Sequence, residues 1–315
     1  MIKTGIHDIR QVTPGARFKT LFGKDKVLSI TLYDRILSLP DAESLAERIL
    51  LLSADERGAR KRTYAARFDA FDEAVATRIR ERWDADTPLR VEDVAVSDGR
   101  TAHDFFQRLA SGFPRLSYGA SDFNPRVFVV DDGRLKVTLS RSHRILEITF
   151  PPFVFNARPE SPLFYPVNHA VRALITRLRV RPLVDRYVSG QVQARTILMF
   201  SAQAMNLAKG DHRFQLSEHD VLTPLPRWTG RHVVRAMNIL NRSYFGAEQI
   251  GLILSHVHDG LGEGGWLITG SNQDAGSQVH GGVYERTESG FRKVWGSGEG
   301  SPVEPEILRW QPTRV

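Results

Sequence analysis

Leu89-Arg90-Val91-Glu92-Asp93-Val94-Ala95-Val96-Ser97-Asp98-Gly99-Arg100-Thr101 is the stretch on which the fold turns. Leu89 to Val96 is compact, apolar and rich in valine, as a strand buried on both faces must be. Small residues and Gly99 then turn the chain, and Thr101 to Leu109 resumes helical spacing through Phe105, Phe106 and Leu109. A strand, a tight small-residue turn and a helix form the opening unit of a doubly wound α/β sheet.

Working outward, Leu116 to Ala120 reads as a second strand and ends in Ser121-Asp122-Phe123-Asn124-Pro125. Val127 to Phe150 then breaks the α/β rhythm. Arg126 to Val130, the turn Asp131-Asp132-Gly133, Leu135 to Leu139 and Ile145 to Phe150 predict an inserted antiparallel β element. Pro151 to Pro166 is a proline-studded connection. Helical spacing returns from Val167 to Leu178 and from Ala194 to Leu207, and Pro182 is expected to break the run between them. The last third alternates again, with strands at Arg213 to Leu216 and His232 to Met237 and a helix from Ala247 to Leu261. Gly262 to Gly265 should end that helix before a strand at Trp266 to Thr269. Gly282 to Arg286 and Phe291 to Trp295 flank the turn Glu288-Ser289-Gly290 and predict a closing antiparallel edge hairpin. Upstream, Leu37 to Trp83 reads as helices. The expected organisation is thus a helical N-terminal appendage over 1–85 and an α/β domain over 86–315, with an insertion at about 127–190.

With 41% hydrophobic and 25% charged residues in 315, the chain has the composition of an ordinary globular protein, which excludes a disordered one. Cysteine is absent, so disulfides, thiolate metal sites and cysteine nucleophiles drop out, and no metal site is expected. No apolar run approaches the roughly 20 residues of a spanning helix, so a soluble, cytoplasmic protein without a membrane partner is expected. The net charge of +7 is spread over arginines interleaved with acids, which favours solubility over nucleic-acid binding. The densest basic clusters are Arg57, Arg60, Lys61, Arg62 and Arg67, and Arg172 to Arg186; neither is interleaved with the aromatics of a single-strand binder.

A doubly wound sheet binds its ligand beyond the carboxyl ends of its strands, beside the point where strand order reverses. There, Asp93-Val94-Ala95-Val96-Ser97-Asp98-Gly99 resembles the first motif of class I S-adenosylmethionine (SAM) methyltransferases, an acid followed by Gly-x-Gly-x-Gly. Ala95 and Ser97 stand where glycines are usual, and Gly99 is kept. Three further stations follow in order. Asp122 lies at the end of the second strand, where such folds place an acid on the ribose hydroxyls, and Phe123 could cover the adenine ring. Asp220-Val221 resembles the station at which an acid and the next backbone amide meet the adenine edge. Asn238-Ile239 resembles the end of the fourth strand. The resemblance implies a Rossmann-like methyltransferase sheet, SAM as cofactor and these residues as its contacts.

Within the superfamily the chain is similar to CheR-type methyltransferases, through Ala95, Ser97, Gly99, Asp122, Asn238, Ile239, Tyr244, Phe245, Gly264, Gly265 and Leu267. Those enzymes carry a glutamate after the first loop, where this chain has Arg100 and Thr101, and their Asn-to-Tyr spacing is shorter. The resemblance implies O-methylation of a small-molecule or protein carboxylate or hydroxyl, with Tyr244 as the residue that touches the acceptor. The rival readings are a SAM-binding regulatory protein without turnover, suggested by the missing glycines, and a nucleic-acid methyltransferase, suggested by charge alone. Local alternatives stand beside each residue. Asp93 could tie loop amides, Asp122 could form an Asx turn, Asp220 could be a surface turn acid and Tyr244 could be a core residue. His256 and His258 lie two apart, do not share a helix face and are expected to be solvated. The inserted strands and the appendage are expected to set acceptor specificity.

Overall fold

The computed structural model describes residues 2–12, 26–39, 43–52, 66–157, 163–226, 229–272 and 277–312. In chain order the elements are β1 (Thr4–Ile6), β2 (Lys26–Leu28), α1 (Tyr33–Ile36), α2 (Glu43–Leu52), α3 (Asp69–Arg82), β3 (Arg90–Val94) and α4 (Arg100–Ala110). There follow β4 (Ser117–Asp122), β5 (Arg126–Asp131), β6 (Lys136–Leu139), β7 (Ile145–Phe150), β8 (Phe153–Asn156), α5 (Pro166–Ile175), a π-helical turn (Thr176–Val180), α6 (Arg181–Val188) and β9 (Arg195–Leu198). The remainder is α7 (Ala202–Gly210), β10 (Phe214–Glu218), β11 (Arg231–Met237), α8 (Ala247–Gly260), β12 (Leu261–Ser271), β13 (His280–Thr287), β14 (Gly290–Ser297) and α9 (Glu304–Arg309).

These elements form two compact units. One comprises Met1–Arg62 and Asn124–Ala202, the other Thr63–Phe123 and Gln203–Val315. The boundary expected at residue 85 falls inside the second unit because α3 packs there: Arg108 of α4 bonds Glu73 at 2.7 Å and pairs with Asp69. Arg57, Arg60, Lys61 and Arg62 lie outside the described residues.

The second unit is built on a seven-stranded sheet in the order β10-β4-β3-β11-β12-β13-β14. The first five strands are parallel, and β13 and β14 close the edge as an antiparallel hairpin. This is the doubly wound sheet with an antiparallel edge that the alternation of strand and helix predicts. Strand order reverses between β3 and β11, the switch point. Register fixes the neighbours there: Arg235 of β11 lies opposite Asp93 of β3, and Asp93 opposite Ala120 of β4. The central strands are buried on both faces, charged residues included: Glu92 and Asp93 of β3 and Arg231 and Arg235 of β11 are all at most 1% exposed. Tyr118 stacks on Phe214 and Phe106 meets both edge to face, with ring centroids 5.3 to 5.7 Å apart. A separate cluster joins Val94, Val234, Ala236 and Leu267 to Ile250, Ile253, Leu254 and Val257 of α8. Gly262 to Gly265 belongs to β12 rather than to a helix stop, and His258 is buried against Phe291 and Trp310, its Nε2 2.9 Å from the Thr287 carbonyl oxygen, rather than solvated.

The first unit holds a five-stranded antiparallel sheet, β8-β7-β6-β5-β9, and the parallel pair β1-β2. Val127 and Val129 of β5 face a core with Tyr33, Ile36, Ile49 and Leu50, while Val130 faces Ile175, Val180 and Leu183, the alternation that a strand imposes. The N-terminal segment and the insertion are therefore one folded body, although more than 60 residues of sequence separate them. Two expectations change. Arg195–Leu198 is a strand, not helix, because it hydrogen-bonds the free edge of β5. Pro182 does not end the helical run: it lies just past the π-helical turn, and the chain stays helical to Val188.

Candidate functional site

The turn after β3 is built from three left-handed residues: Ala95 at φ 58°, Ser97 at φ 60° and Gly99 at φ 80°. Across the switch point, Asn238, just past β11, is also left-handed at φ 58°. Side chains disfavour this conformation by about 1 to 2 kcal/mol per residue, and such strain persists only where the surroundings enforce it. The enforcing bonds are visible. The Ser97 amide donates to Asp122 Oδ2 at 2.8 Å, and the Val96 amide to the Ser121 carbonyl at 3.0 Å, tying the turn to the tip of β4. Behind it, Asp98 and Arg100 form a buried pair at 3.3 Å. Ala95→Gly and Ser97→Gly should each raise stability by up to about 1 kcal/mol, the relieved strain less the entropy that glycine adds to the unfolded chain. Urea unfolding followed by tryptophan fluorescence measures this, and a lower midpoint for both variants would show that the turn is not strained.

Below the turn lies a buried charge cluster. Arg235 Nη1 donates to Asp93 Oδ2 at 2.8 Å and Nη2 to both oxygens of Asp72 at 3.0 Å, while the Tyr118 hydroxyl donates to Asp93 Oδ2 at 2.7 Å. The guanidinium also lies over the rings of Phe105 and Phe68, 4.8 and 5.4 Å from their centroids. Burial pushes the Asp72 carboxyl up to about 6 and raises that of Asp93. Burial acting alone would lower Arg235; the charges of Asp72 and Asp93 outweigh it and hold the guanidinium firmly protonated. Asp93 is thus engaged from beneath the turn.

At the tip of β11, Asn238 Oδ1 accepts from the Asn272 amide at 3.1 Å and its Nδ2 donates to Asn272 Oδ1 at 3.3 Å. Asn272 Oδ1 also accepts from Arg67 Nε at 2.8 Å. Past β10, Asp220 accepts from the Leu222 amide at 3.0 Å in an Asx turn, and Val221 is buried in the cluster that contains Val94. Ile239 packs against the same cluster. Phe123 follows β4 with 44% of its surface exposed, and Tyr244 lies in the turn after β11, 41% exposed.

Parallel register therefore brings Ala95, Ser97, Gly99, Asp122, Phe123, Asp220, Val221, Asn238 and Ile239 to one edge of one sheet, with Tyr244 a few residues beyond it. Asp93 sits one layer in. Sequence reasoning missed Asn272, Arg67 and Arg235. Asn272 follows the fifth strand much as Asn238 follows the fourth, a signal available in Gly270-Ser271-Asn272. Among the described residues no cluster of histidine and acidic side chains could hold a metal ion.

No family model and no curated protein matches this chain. Solved structures do. SAM-bound CalS10, an amino pentose methyltransferase from Micromonospora echinaspora, is 15% identical, with a TM-score of 0.31 over 73% of this chain and 62% of its own. The mitomycin 7-O-methyltransferase MmcR is 12% identical, with a TM-score of 0.29 over 77% of this chain and 43% of its own. The cyclase SpnF is 15% identical, with a TM-score of 0.28 over 65% of this chain and 47% of its own. The chain spans less than two thirds of the length of each, and these similarities add no residue to the site.

Proposed function

We propose that the seven-stranded unit is a class I SAM-dependent methyltransferase that acts on an oxygen acceptor, a carboxylate or hydroxyl of a small molecule or protein. One observation carries the reading. Three left-handed residues in alternate positions sit at the switch point, and the middle one is hydrogen-bonded to an acid at the next strand tip. That geometry turns the chain sharply on small residues at the place where a ligand would approach the backbone and sets a carboxylate beside it.

The residues fit the cofactor. Ala95, Ser97 and Gly99 would offer backbone to its methionine and ribose parts, Asp122 would accept from ribose hydroxyls, and the exposed ring of Phe123 would cover adenine. Asp220 and Val221 would meet the adenine edge, with Asn238 and Ile239 as the floor. Asp93 acts here from below, as the anchor that holds β3 to β11 through Arg235. Bound there, SAM would supply an electrophilic methyl group on sulfur, which an acceptor oxygen attacks in line. The chain's own task is to align donor and acceptor and to exclude water, since alignment alone lowers such barriers by several kcal/mol. Tyr244 would orient the acceptor oxygen. A carboxylate acceptor needs no general base, and this fits a site edge lined by Asn238, Asp122 and Tyr244. The likeness of Asn238, Ile239 and Tyr244 to CheR-type enzymes supports the protein-carboxylate branch, while Arg100, committed to Asp98, departs from it.

Calorimetric titration with SAM and S-adenosylhomocysteine tests the reading, and absence of heat with both at millimolar concentration would end it. Asp122→Ala should weaken SAM binding by about 1 to 3 kcal/mol, roughly fivefold to 150-fold. Because that variant also strips the Ser97 amide of its acceptor, Asp122→Asn separates the two effects: it keeps an oxygen for the amide and loses the charge. Unchanged affinity in both would remove Asp122 from the site. The side chains at Ala95 and Ser97 favour a second reading, a SAM sensor without turnover. Transfer of labelled methyl to candidate acceptors distinguishes enzyme from sensor.

A further inference from the structure

From Leu163 to Val184 the chain carries four arginines and no acidic residue. The helical run from Pro166 to Val188 buries Asn168, Ile175, Val180 and Leu183 against its own unit. Its other face is not the polar surface expected of a helix lying on a core. Leu163 is 89% exposed, Phe164, Leu174 and Leu178 are each 60% exposed, and Val167 is exposed beside them. Val167, Leu174 and Leu178 follow one another at helical spacing, so these side chains form one stripe.

The π-helical turn explains how arginines come to flank that stripe. In a continuous α-helix the buried residue after Ile175 would be Leu178 or Arg179. The extra residue of the turn brings Val180 inward instead, five positions on, and leaves Arg177, Leu178, Arg179 and Arg181 on the outside. Beside the stripe is an open depression of about 450 Å³ lined by His169, Arg172, Ala173, Thr176, Arg177 and Arg181. Among the described residues no carboxylate lines it, while Arg179, outside the depression, is paired with Asp132 at 2.6 Å.

We propose that this helical face docks on an anionic phospholipid surface, with Leu163, Phe164, Val167, Leu174 and Leu178 entering the acyl boundary and the arginine-lined depression receiving lipid phosphate. Apolar side chains ringed by arginine complement such a surface in both of its parts. A nucleic acid would use the arginines and leave the leucines in water. Among the described residues no helix is long and apolar enough to cross a membrane. The sequence expectation of no membrane partner rested on the lack of a spanning run, which has no bearing on a helix that lies in the interface. The proposal is independent of the methyltransferase reading.

Sedimentation of the full chain with phosphatidylcholine vesicles, with and without phosphatidylglycerol, tests it. The protein should partition onto the anionic vesicles, weaken with added salt and stay off the neutral ones. Arg177→Gln with Arg181→Gln, and separately Leu174→Asp with Leu178→Asp, should each lower partitioning about tenfold. Both pairs replace exposed side chains, and an unchanged thermal transition verifies the fold. Equal binding to neutral vesicles, no binding to anionic ones, or wild-type binding by either variant would overturn the proposal. So would loss of double-stranded DNA binding in the arginine variant with vesicle binding intact, which would assign the face to nucleic acid.

Discussion

Replacing Arg235 with methionine should cost the seven-stranded unit about 3 to 5 kcal/mol at neutral pH, the usual consequence of stranding a buried countercharge. Arg235 is 1% exposed and is the cation shared by Asp72 and Asp93. Methionine fills much of its volume and can still lie against Phe68 and Phe105, so the loss is electrostatic rather than a cavity. The pH dependence carries the proof. Burial already lifts Asp72 from 3.8 to about 6 in the intact protein, so the contribution of this group is complete below 3.8 and fades as pH rises through 6. Without the guanidinium both carboxyls rise further, and the deficit should shrink between pH 8 and pH 5 as they take up protons. Adding Asp72→Asn and Asp93→Asn to Arg235→Met should restore most of the stability at pH 8. Trp83, Trp266, Trp295 and Trp310 belong to this unit, so tryptophan fluorescence in urea reads it. A loss below about 1 kcal/mol at pH 8 would mean that the cluster is not closed to water.

The same cluster shows where the sequence is legible and where it is not. Asp93 at the end of a valine-rich strand, followed by small residues and Gly99, was enough to place the first strand, the turn and the switch point. The edge hairpin followed from Glu288-Ser289-Gly290, where Gly290 adopts φ 141° against the Trp310 carbonyl. Local periodicity and turn chemistry carry that much. Partners distant in sequence are invisible to it: nothing near Asp93 announces Asp72 on a preceding helix or Arg235 some 140 residues later. The left-handed state of Ala95 and Ser97 was also hidden, because neither residue favours it and the bonds from Val96 and Ser97 to the tip of β4 hold the turn. Arg195–Leu198 failed for a third reason. Four residues are too few for periodicity to separate strand from helix, and the open edge of β5 decided the matter.

Glu147 gives the second large effect, and it reads the other unit. Its carboxylate is fully buried, with Oε1 accepting from the Ser29 and Thr149 hydroxyls at 2.6 and 3.0 Å and Oε2 from the Ile30 amide at 3.0 Å. All three donors are neutral, and burial outweighs them, lifting the carboxyl from 4.5 to about 7. The folded state then binds more protons than the unfolded one between those values, so stability falls as pH rises across that window. The contribution is complete below 4.5 and lost by about 7, and the span corresponds to roughly 3 kcal/mol. Asp8 and Asp132 are held below the usual carboxylate range, so their own transitions lie at more acid pH and do not overlap this one. Glu147→Gln should abolish the slope and stabilise the unit at pH 8, since its amide can donate to the two hydroxyls while its oxygen serves Ile30. With no tryptophan here, amide exchange across β5, β6 and β7 at pH 5 and pH 8, corrected for intrinsic rates, is the measurement. Equal protection at both values in the wild-type chain would mean that water reaches Glu147, and the seam between the N-terminal segment and the inserted sheet would then be hydrated rather than dry.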